Sequence, residues 1–271
     1  MSYNWSCNCI PGATDNIFID GNITNQPEIG GGGLAFFQVN NITLVNNPVI
    51  NISNPAATLE IGGDIAGAAT ISGSGTLSFS SGSHDITQPV NISGILSVPT
   101  AATLNTNDNL IFEDGAVLLH GPGTPNGGGT VNGNIIVKRQ GSSQVNVYNY
   151  WGSPVKNTNV SVLGSNQYFF DVTAATGSSV AAQQNGWQSA SGLVMQDGVG
   201  YISANSGMVN FNGEANGNQP NQGEITVNVT RTASPNLGWN LVANPYPSGL
   251  SAQEFLTENS GTLEGTVYFW D

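Results

Sequence analysis

Pro48-Val49-Ile50-Asn51-Ile52-Ser53, with Pro55-Ala56-Ala57-Thr58-Leu59 close behind, is answered by Pro89-Val90-Asn91-Ile92-Ser93 and Pro99-Thr100-Ala101-Ala102-Thr103-Leu104. A chain that echoes itself is built from repeated units. A unit carrying two or three short strands cannot bury its apolar face alone. Stacking the units buries a continuous core and pairs each strand with the next coil. Around the echo, short apolar runs recur: Ile42-Thr43-Leu44, Thr58-Leu59-Glu60-Ile61, Thr76-Leu77-Ser78-Phe79, Ile95-Leu96-Ser97-Val98, Leu110-Ile111-Phe112 and Val117-Leu118-Leu119. Most steps are roughly 15–20 residues, which suits a stacked coil. The pattern predicts a parallel β-helix, expected right-handed, over residues 1–140, behind an N-terminal lead-in. Gly62, Gly63, Gly73, Gly75, Gly94 and Gly115 are expected at corners that need positive φ, and the Asn residues in turns or stacked ladders.

The pattern changes near Gly141, after Ile135-Ile136-Val137-Lys138-Arg139, where Trp and Tyr become frequent and the short repeat ends. Residues 141–271 are therefore read as a second, β-sandwich-like domain. Its strands are expected around Val145–Tyr148, Gln167–Phe170, Gly200–Ile202, Met208–Phe211, Glu224–Val229 and Trp239–Val242. Ser251-Ala252-Gln253-Glu254 reads as a capping box opening one short helix near 251–260. The terminal run Leu263–Asp271 alternates enough to predict a strand that pairs within this domain and buries its aromatics. The fold class is all-β throughout.

Composition points outward from the cell. Only 8% of residues are charged, against about 25% in ordinary globular chains, so Asn, Ser, Thr, Gln and Gly must carry solubility. Acidic residues outnumber basic ones 17 to 4, and residues 1–137 contain no Lys or Arg. Nucleic acid and anionic membranes are excluded as partners, because each would need a basic stripe to displace counterions. No apolar run approaches a membrane span, and the first twenty residues show no signal-peptide pattern. Export is expected of a larger parent protein from which this piece is taken. Cys7 and Cys9 are the only cysteines. They suit a local disulfide or two buried thiols better than a metal site.

Several constellations bear on chemistry. Parallel β-helices host polysaccharide lyases and hydrolases, so Asp64, Asp85, Asp108, Glu113 and Asp114 are weighed as paired acid and base. Each sits near a Gly-rich turn, where Asp caps the turn, and no cation stands nearby to neutralise an acidic substrate. His84-Asp85 lacks a nucleophile elbow to serve. Gly30–Gly33 and Gly127–Gly129 lack the Lys-Ser/Thr of a phosphate loop. The run Asn105–Asn109 with Glu113 and Asp114 offers oxygen ligands for a structural calcium, with Asn107, Asp108, Glu113 and Asp114 as candidate ligands, although its spacing matches no EF-hand. The sequons, such as Asn51-Ile52-Ser53 and Asn91-Ile92-Ser93, fit strand-edge chemistry. Among Tyr150, Trp151, Trp187, Tyr201, Trp239, Tyr246 and Trp270, aromatic faces suit pyranose rings. Trp239 and Trp270 lie in apolar alternation and are expected to be buried. Trp187, in the polar Asn185-Gly186-Trp187-Gln188-Ser189, is the candidate ligand contact.

Gly238-Trp239-Asn240-Leu241-Val242-Ala243-Asn244-Pro245-Tyr246-Pro247-Ser248, followed by Phe255-Leu256 and Thr266–Asp271, resembles a segment of large surface proteins exported by the type IX secretion system of Bacteroidota. Tyr150-Trp151-Gly152-Ser153-Pro154-Val155, Gly198–Ile202 and Phe211-Asn212-Gly213 are similar to the stretch that precedes it in such proteins. Trp5 with Pro11–Ile19 looks like the lead into their β-helical region. The resemblance implies architecture and an extracellular, cell-surface or secreted location. It supplies no catalytic residues and no cofactor. The expected role is a non-catalytic structural and adhesive segment whose partners are a glycan or surface-protein ligand and the flanking domains of the parent. The alternative is a carbohydrate-binding or polysaccharide-degrading β-helix module.

Overall fold

Short apolar runs broken by Asn and Gly cannot continue as long strands, and here they turn corners and stack. The computed structural model describes residues 9–31, 36–121, 128–142, 144, 147–175, 179, 184–217, 224–231 and 238–269. Trp5, Cys7, Gly32, Gly33, Gly127, Val145, Asn146, Trp270 and Asp271 lie outside them. The chain divides into two compact units, one of Met1–Gln140 with Met208–Ile225 and the other of Gly141–Gly207 with Thr226–Asp271.

The first unit is a parallel β-solenoid with three strands per coil. The first coil holds β1 (Ile17–Asp20), β2 (Glu28–Ile29) and β3 (Phe36–Val39), and the second β4 (Ile42–Val45), β5 (Val49–Ile52) and β6 (Thr58–Ile61). The third holds β7 (Ile65–Ala66), β8 (Ala69–Gly73) and β9 (Thr76–Phe79), and the fourth β10 (Gly82–Asp85), β11 (Val90–Ile92) and β12 (Ile95–Ser97). The fifth holds β13 (Ala102–Asn105), β14 (Leu110–Phe112) and β15 (Val117–Leu119), after which β16 (Thr130–Asn132) and β17 (Asn134–Gln140) open one more pass. Second strands of successive coils form one sheet and third strands another. First strands form two shorter sheets, joined by a bridge between Ile65 and Ile86.

Register explains which echo was structural. Pro48 leads into β5 and Pro89 into β11, and both pair with β8 between them, so these segments lie two coils apart on one sheet. Thr58-Leu59 and Thr103-Leu104 fall in β6 and β13, on different sheets, and resemble each other only in composition. One circuit takes 25, 23 and then 21 residues at the corner before β4, β7 and the end of β10. That exceeds the 15–20-residue step read from the sequence, because neighbouring runs there often belonged to different faces of one circuit.

Side chains that point inward stack in columns. Leu59, Leu77, Leu96 and Leu118 align across β6, β9, β12 and β15, and all are buried. Ile50, Ile71, Ile92, Phe112 and Val137 form a second buried column. Each such side chain contributes about 1.5–3 kcal/mol by leaving water. The corners use two devices. Gly73 and Gly115 have φ of 100° and 80° as expected, and so do several non-glycines, with Asn46, Asn47, Asn107 and Asp108 between 49° and 59°. Gly75 and Gly94 have ordinary φ. They are required because a Cβ would come within 2.3 Å of Ile52 and 2.5 Å of the Gly73 carbonyl oxygen in the preceding coil.

The second unit contains a four-stranded antiparallel sheet of β18 (Asn149–Trp151), β19 (Tyr168–Phe170), β20 (Trp187–Ser189) and β21 (Tyr201–Ser203), in the order β18-β21-β19-β20. One face forms the core: Trp151 and Tyr201 are buried, and the Trp151 indole N–H donates to Ser203 Oγ at 3.0 Å. Met208–Glu214, read from sequence among the strands of the second half, forms β22 and pairs antiparallel with β17 of the solenoid. The N-cap expected of the capping box is present: helix α1 (Ala252–Glu258) has Ser251 as N-cap, its hydroxyl accepting the Glu254 N–H at 3.3 Å.

Three strand expectations fail among the described residues. Glu224–Val229 alternates between exposed and half-buried but joins no ladder, and of Trp239–Val242 only Val242 bridges, to Val199. Glu264–Phe269 is irregular, and Tyr268 and Phe269 are 61% and 76% exposed rather than buried. Alternation in these runs matched a strand, yet the described chain supplies no partner strand for them.

Candidate functional site

The corner carboxylates face outward and bind the chain itself. An Asn or Asp occupies the same corner in successive coils, just before β1, β4 and β7 and at the end of β10, β13 and β16. Asn16 Oδ1 accepts the Asn41 N–H at 3.1 Å, Asn41 Oδ1 the Asp64 N–H at 2.8 Å, and Asp64 Oδ1 the Asp85 N–H at 2.9 Å. Below them Asp85 aligns with Asn105 and Asn105 with Asn132, whose amide donates to Asn105 Oδ1 at 3.0 Å. The stacked coil places like residues about 4.8 Å apart, close enough for a side-chain oxygen to reach the next backbone. Carboxylates weighed as acid and base are thereby coil-to-coil acceptors.

The four candidate calcium ligands divide between two corners. Asn107 donates to Asp85 Oδ1 at 3.3 Å and to the Ile86 carbonyl at 3.2 Å, and Asp108 Oδ1 accepts the Asn134 N–H at 2.8 Å. Beyond β14, Glu113 pairs with Lys138 at 2.8 Å. Asp114 Oδ1 accepts the Gln140 N–H at 3.1 Å, and its charge opposes the lowering of the Arg139 pKa by burial. Among the described residues no three His, Cys, Asp or Glu side chains converge as a metal ion requires. Cys9 is disulfide-bonded.

His84 is turned into the solenoid interior and spends its ring on backbone carbonyls. His84 takes an inward column position aligned with Leu104 and is buried, with its ring nitrogens 2.8 and 2.9 Å from the Gly63 and Ser80 carbonyl oxygens and its ring 5.0 Å from Phe79. Asp85, the next residue along the strand, points to the opposite face. His120 is 5% exposed at the end of β15. Burial pushes its pKa down to about 4, against the smaller raising effect of its hydrogen bond to the Asn216 backbone.

Aromatic side chains gather on the outer face of the four-stranded sheet. Register sets Tyr150, Ile202, Tyr168 and Ser189 in one row across β18, β21, β19 and β20. The next residue on the same side of β19 is Phe170, opposite Trp187. Tyr148 lies two residues before Tyr150, and its ring meets Tyr168 edge-on at 6.1 Å, while Phe170 and Trp187 meet edge-on at 5.2 Å. Tyr148 and Tyr150 are exposed, Tyr168, Phe170 and Trp187 are half-buried, and Ile202 between Tyr150 and Tyr168 is buried. Partial burial raises the Tyr150 pKa. At the Tyr168–Ser189 end the row runs into a depression of about 390 Å³ lined by Gly164, Ser165, Asn166, Gln167, Tyr168, Ser189 and Ser191.

Trp187 therefore lies in strand β20 and not in a polar loop, and it belongs to a group. Tyr148, Tyr168 and Phe170 were missed in the sequence, although Tyr148-Asn149-Tyr150 and Tyr168-Phe169-Phe170 carry the i, i+2 spacing that places aromatics on one face of a strand. Trp239, expected to be buried, is 57% exposed and meets Tyr268 edge-on at 5.0 Å. Around it the Gly238–Ser248 segment is held by local bonds. Asn240 exchanges hydrogen bonds with the Thr230 backbone at 3.0 Å each way, and Asn244 bonds Tyr246 N–H and the Ser248 carbonyl at 3.0 and 2.6 Å.

No curated protein and no solved structure matches this chain. Residues 75–271, from the third coil of the solenoid through the second unit, match the model of a family described as a domain of unknown function, DUF8693, and the chain belongs to that family.

Proposed function

We propose that this chain is a non-catalytic, extracellular structural and adhesive segment of a surface protein, in which the solenoid is a rigid spacer and the second unit presents a contact surface. The observation that carries the reading is the corner column. Asp64, Asp85 and Asp108, the residues closest to acid–base candidates, each bond a neighbouring coil, which suits stiffness and not proton transfer. The low charge density, 17 acidic residues against 4 basic, and the resemblance of the Gly238–Ser248 segment to exported Bacteroidota surface proteins support the location. A polar uncharged coat with few cations also suits a partner that is neither nucleic acid nor an anionic membrane.

Protease shaving of intact cells producing the full-length protein tests the location, and a reducing-end release assay on plant and marine polysaccharides tests the absence of catalysis. The expected outcome is loss of the segment on shaving and no new reducing ends. Confinement to the soluble interior of the cell, or turnover abolished by Asp85→Asn, would overturn the proposal.

A further inference from the structure

We propose that the outer face of the β18-β21-β19-β20 sheet, continued by the depression at its Tyr168–Ser189 end, is a binding site for a neutral oligosaccharide. The inference rests on the reading of the second unit as a contact surface and names its ligand class. Three observations support it. The first is the ring set. Tyr150, Tyr168, Phe170 and Trp187 share one side of the sheet by register, on either side of the buried Ile202, and Tyr148 joins them from just before β18 through its edge-on contact with Tyr168. Aromatic residues so placed offer rings to the C–H faces of pyranoses and hydroxyls to their edges.

The second observation is continuity between apolar and polar surface. Tyr168 and Ser189 belong both to the aromatic row and to the lining of the depression, where Ser165, Asn166, Gln167 and Ser191 add hydroxyls and amides. Each of these groups donates and accepts hydrogen bonds, as a sugar hydroxyl does. The third is charge. Neither the row nor the depression contains Asp, Glu, Lys or Arg. An anionic glycan would find no cation there, and a cationic peptide no carboxylate. The sheet is three inter-strand steps wide, about 14 Å, so the ligand is a chain of several sugar rings and not a monosaccharide.

The test is calorimetric titration of the full chain with cellohexaose, xylohexaose, mannohexaose and laminarihexaose, with hexagalacturonate as the acidic comparison. At least one neutral hexasaccharide is expected to bind and the acidic one not. Tyr150→Ala and Tyr168→Ala should each weaken binding about two- to tenfold, the loss of one aromatic contact. Ser191→Ala, at an exposed position in the depression, should also weaken it without lowering the melting temperature. Trp239→Ala, on the other exposed aromatic pair, should leave it unchanged. Absence of heat with all four neutral sugars, or loss of binding with Trp239→Ala but not Tyr150→Ala, would overturn the site. Concentration-dependent dimerisation abolished by Tyr150→Ala, without sugar binding, would assign the face to a second copy and overturn it too. Binding accompanied by release of reducing ends would instead overturn the non-catalytic reading and leave the site standing.

Discussion

Leu77 is 1% exposed and stacks between Leu59 and Leu96, one coil on either side. Leu77→Asp places an unpaired carboxylate in that column at a cost of several kcal/mol. The expected result is loss of the solenoid's cooperative melting, and an unchanged melting curve would refute the stacked core. His120 makes a different prediction, about pH. Above about pH 6.5 the imidazole is neutral in both folded and unfolded chains. Between there and the folded pKa of about 4 only the unfolded chain takes up the proton. Stability is therefore complete above pH 6.5 and falls as the pH drops towards 4, by up to ~3 kcal/mol at 1.36 kcal/mol per unit. Urea midpoints measured from pH 7.5 to 4.5 should fall less steeply for His120→Gln than for the native chain. Parallel slopes would show that His120 is not the titrating group. In the sequence His84 was legible only as a partner of Asp85 with no nucleophile elbow to serve. That Trp239 is exposed and Trp187 partly covered was not legible, because a strand-like alternation reports burial only where a second layer packs on it.

The columns of the solenoid are stabilised from both sides, by aliphatic stacking within and by Asn and Asp at the corners. Asp64 is the most instructive rung, since its N–H is held by Asn41 and its Oδ1 holds the Asp85 N–H. Asp64→Ala removes one acceptor and leaves a part-buried N–H without it, a loss of about 1 kcal/mol. Asp64→Asn keeps an oxygen in place and should stay close to the native chain. Equilibrium urea unfolding of the pair checks this, and equal stability of Asp64→Ala and Asp64→Asn would remove the column from the list of what holds the coils together. That Asn residues form ladders was readable in the sequence. Which ones do so was not, because circuits of 25, 23 and 21 residues blur the period that would align them. The aliphatic runs were readable for the opposite reason. Strands that pair in parallel and face a buried interior keep their Leu and Ile in register whatever the corner length.

On the scale of the whole molecule, the chain leaves the solenoid at Gln140, builds most of a second unit, and returns as β22 before leaving again. The return covers the hydrogen-bonding edge of β17 over seven residues, from Asn134 opposite Glu214 to Gln140 opposite Met208, and brings Val209 and Phe211 into the core. Phe211 extends the column of Ile92, Phe112 and Val137 by one more position. After the strand, Gly121 and Gly217 pack so closely that a Cβ on Gly121 would lie 2.2 Å from the Gly217 carbonyl oxygen, and Gly121 has φ of 74°, so only glycine fits. A pairing between residues this distant in sequence forms late and costs loop entropy, which the burial of two large apolar side chains and a full ladder must exceed. A fragment of residues 1–140 would expose the β17 edge and the end of the core, a template for pairing with another copy. It is expected to self-associate. The same fragment joined through a short Gly/Ser linker to residues 208–225 should be monomeric and melt at a higher temperature. Sedimentation velocity and thermal melting of the two fragments decide the matter. Should residues 1–140 alone prove monomeric and equally stable, β22 would be an accessory strand, and the solenoid would be closed by its own last coil.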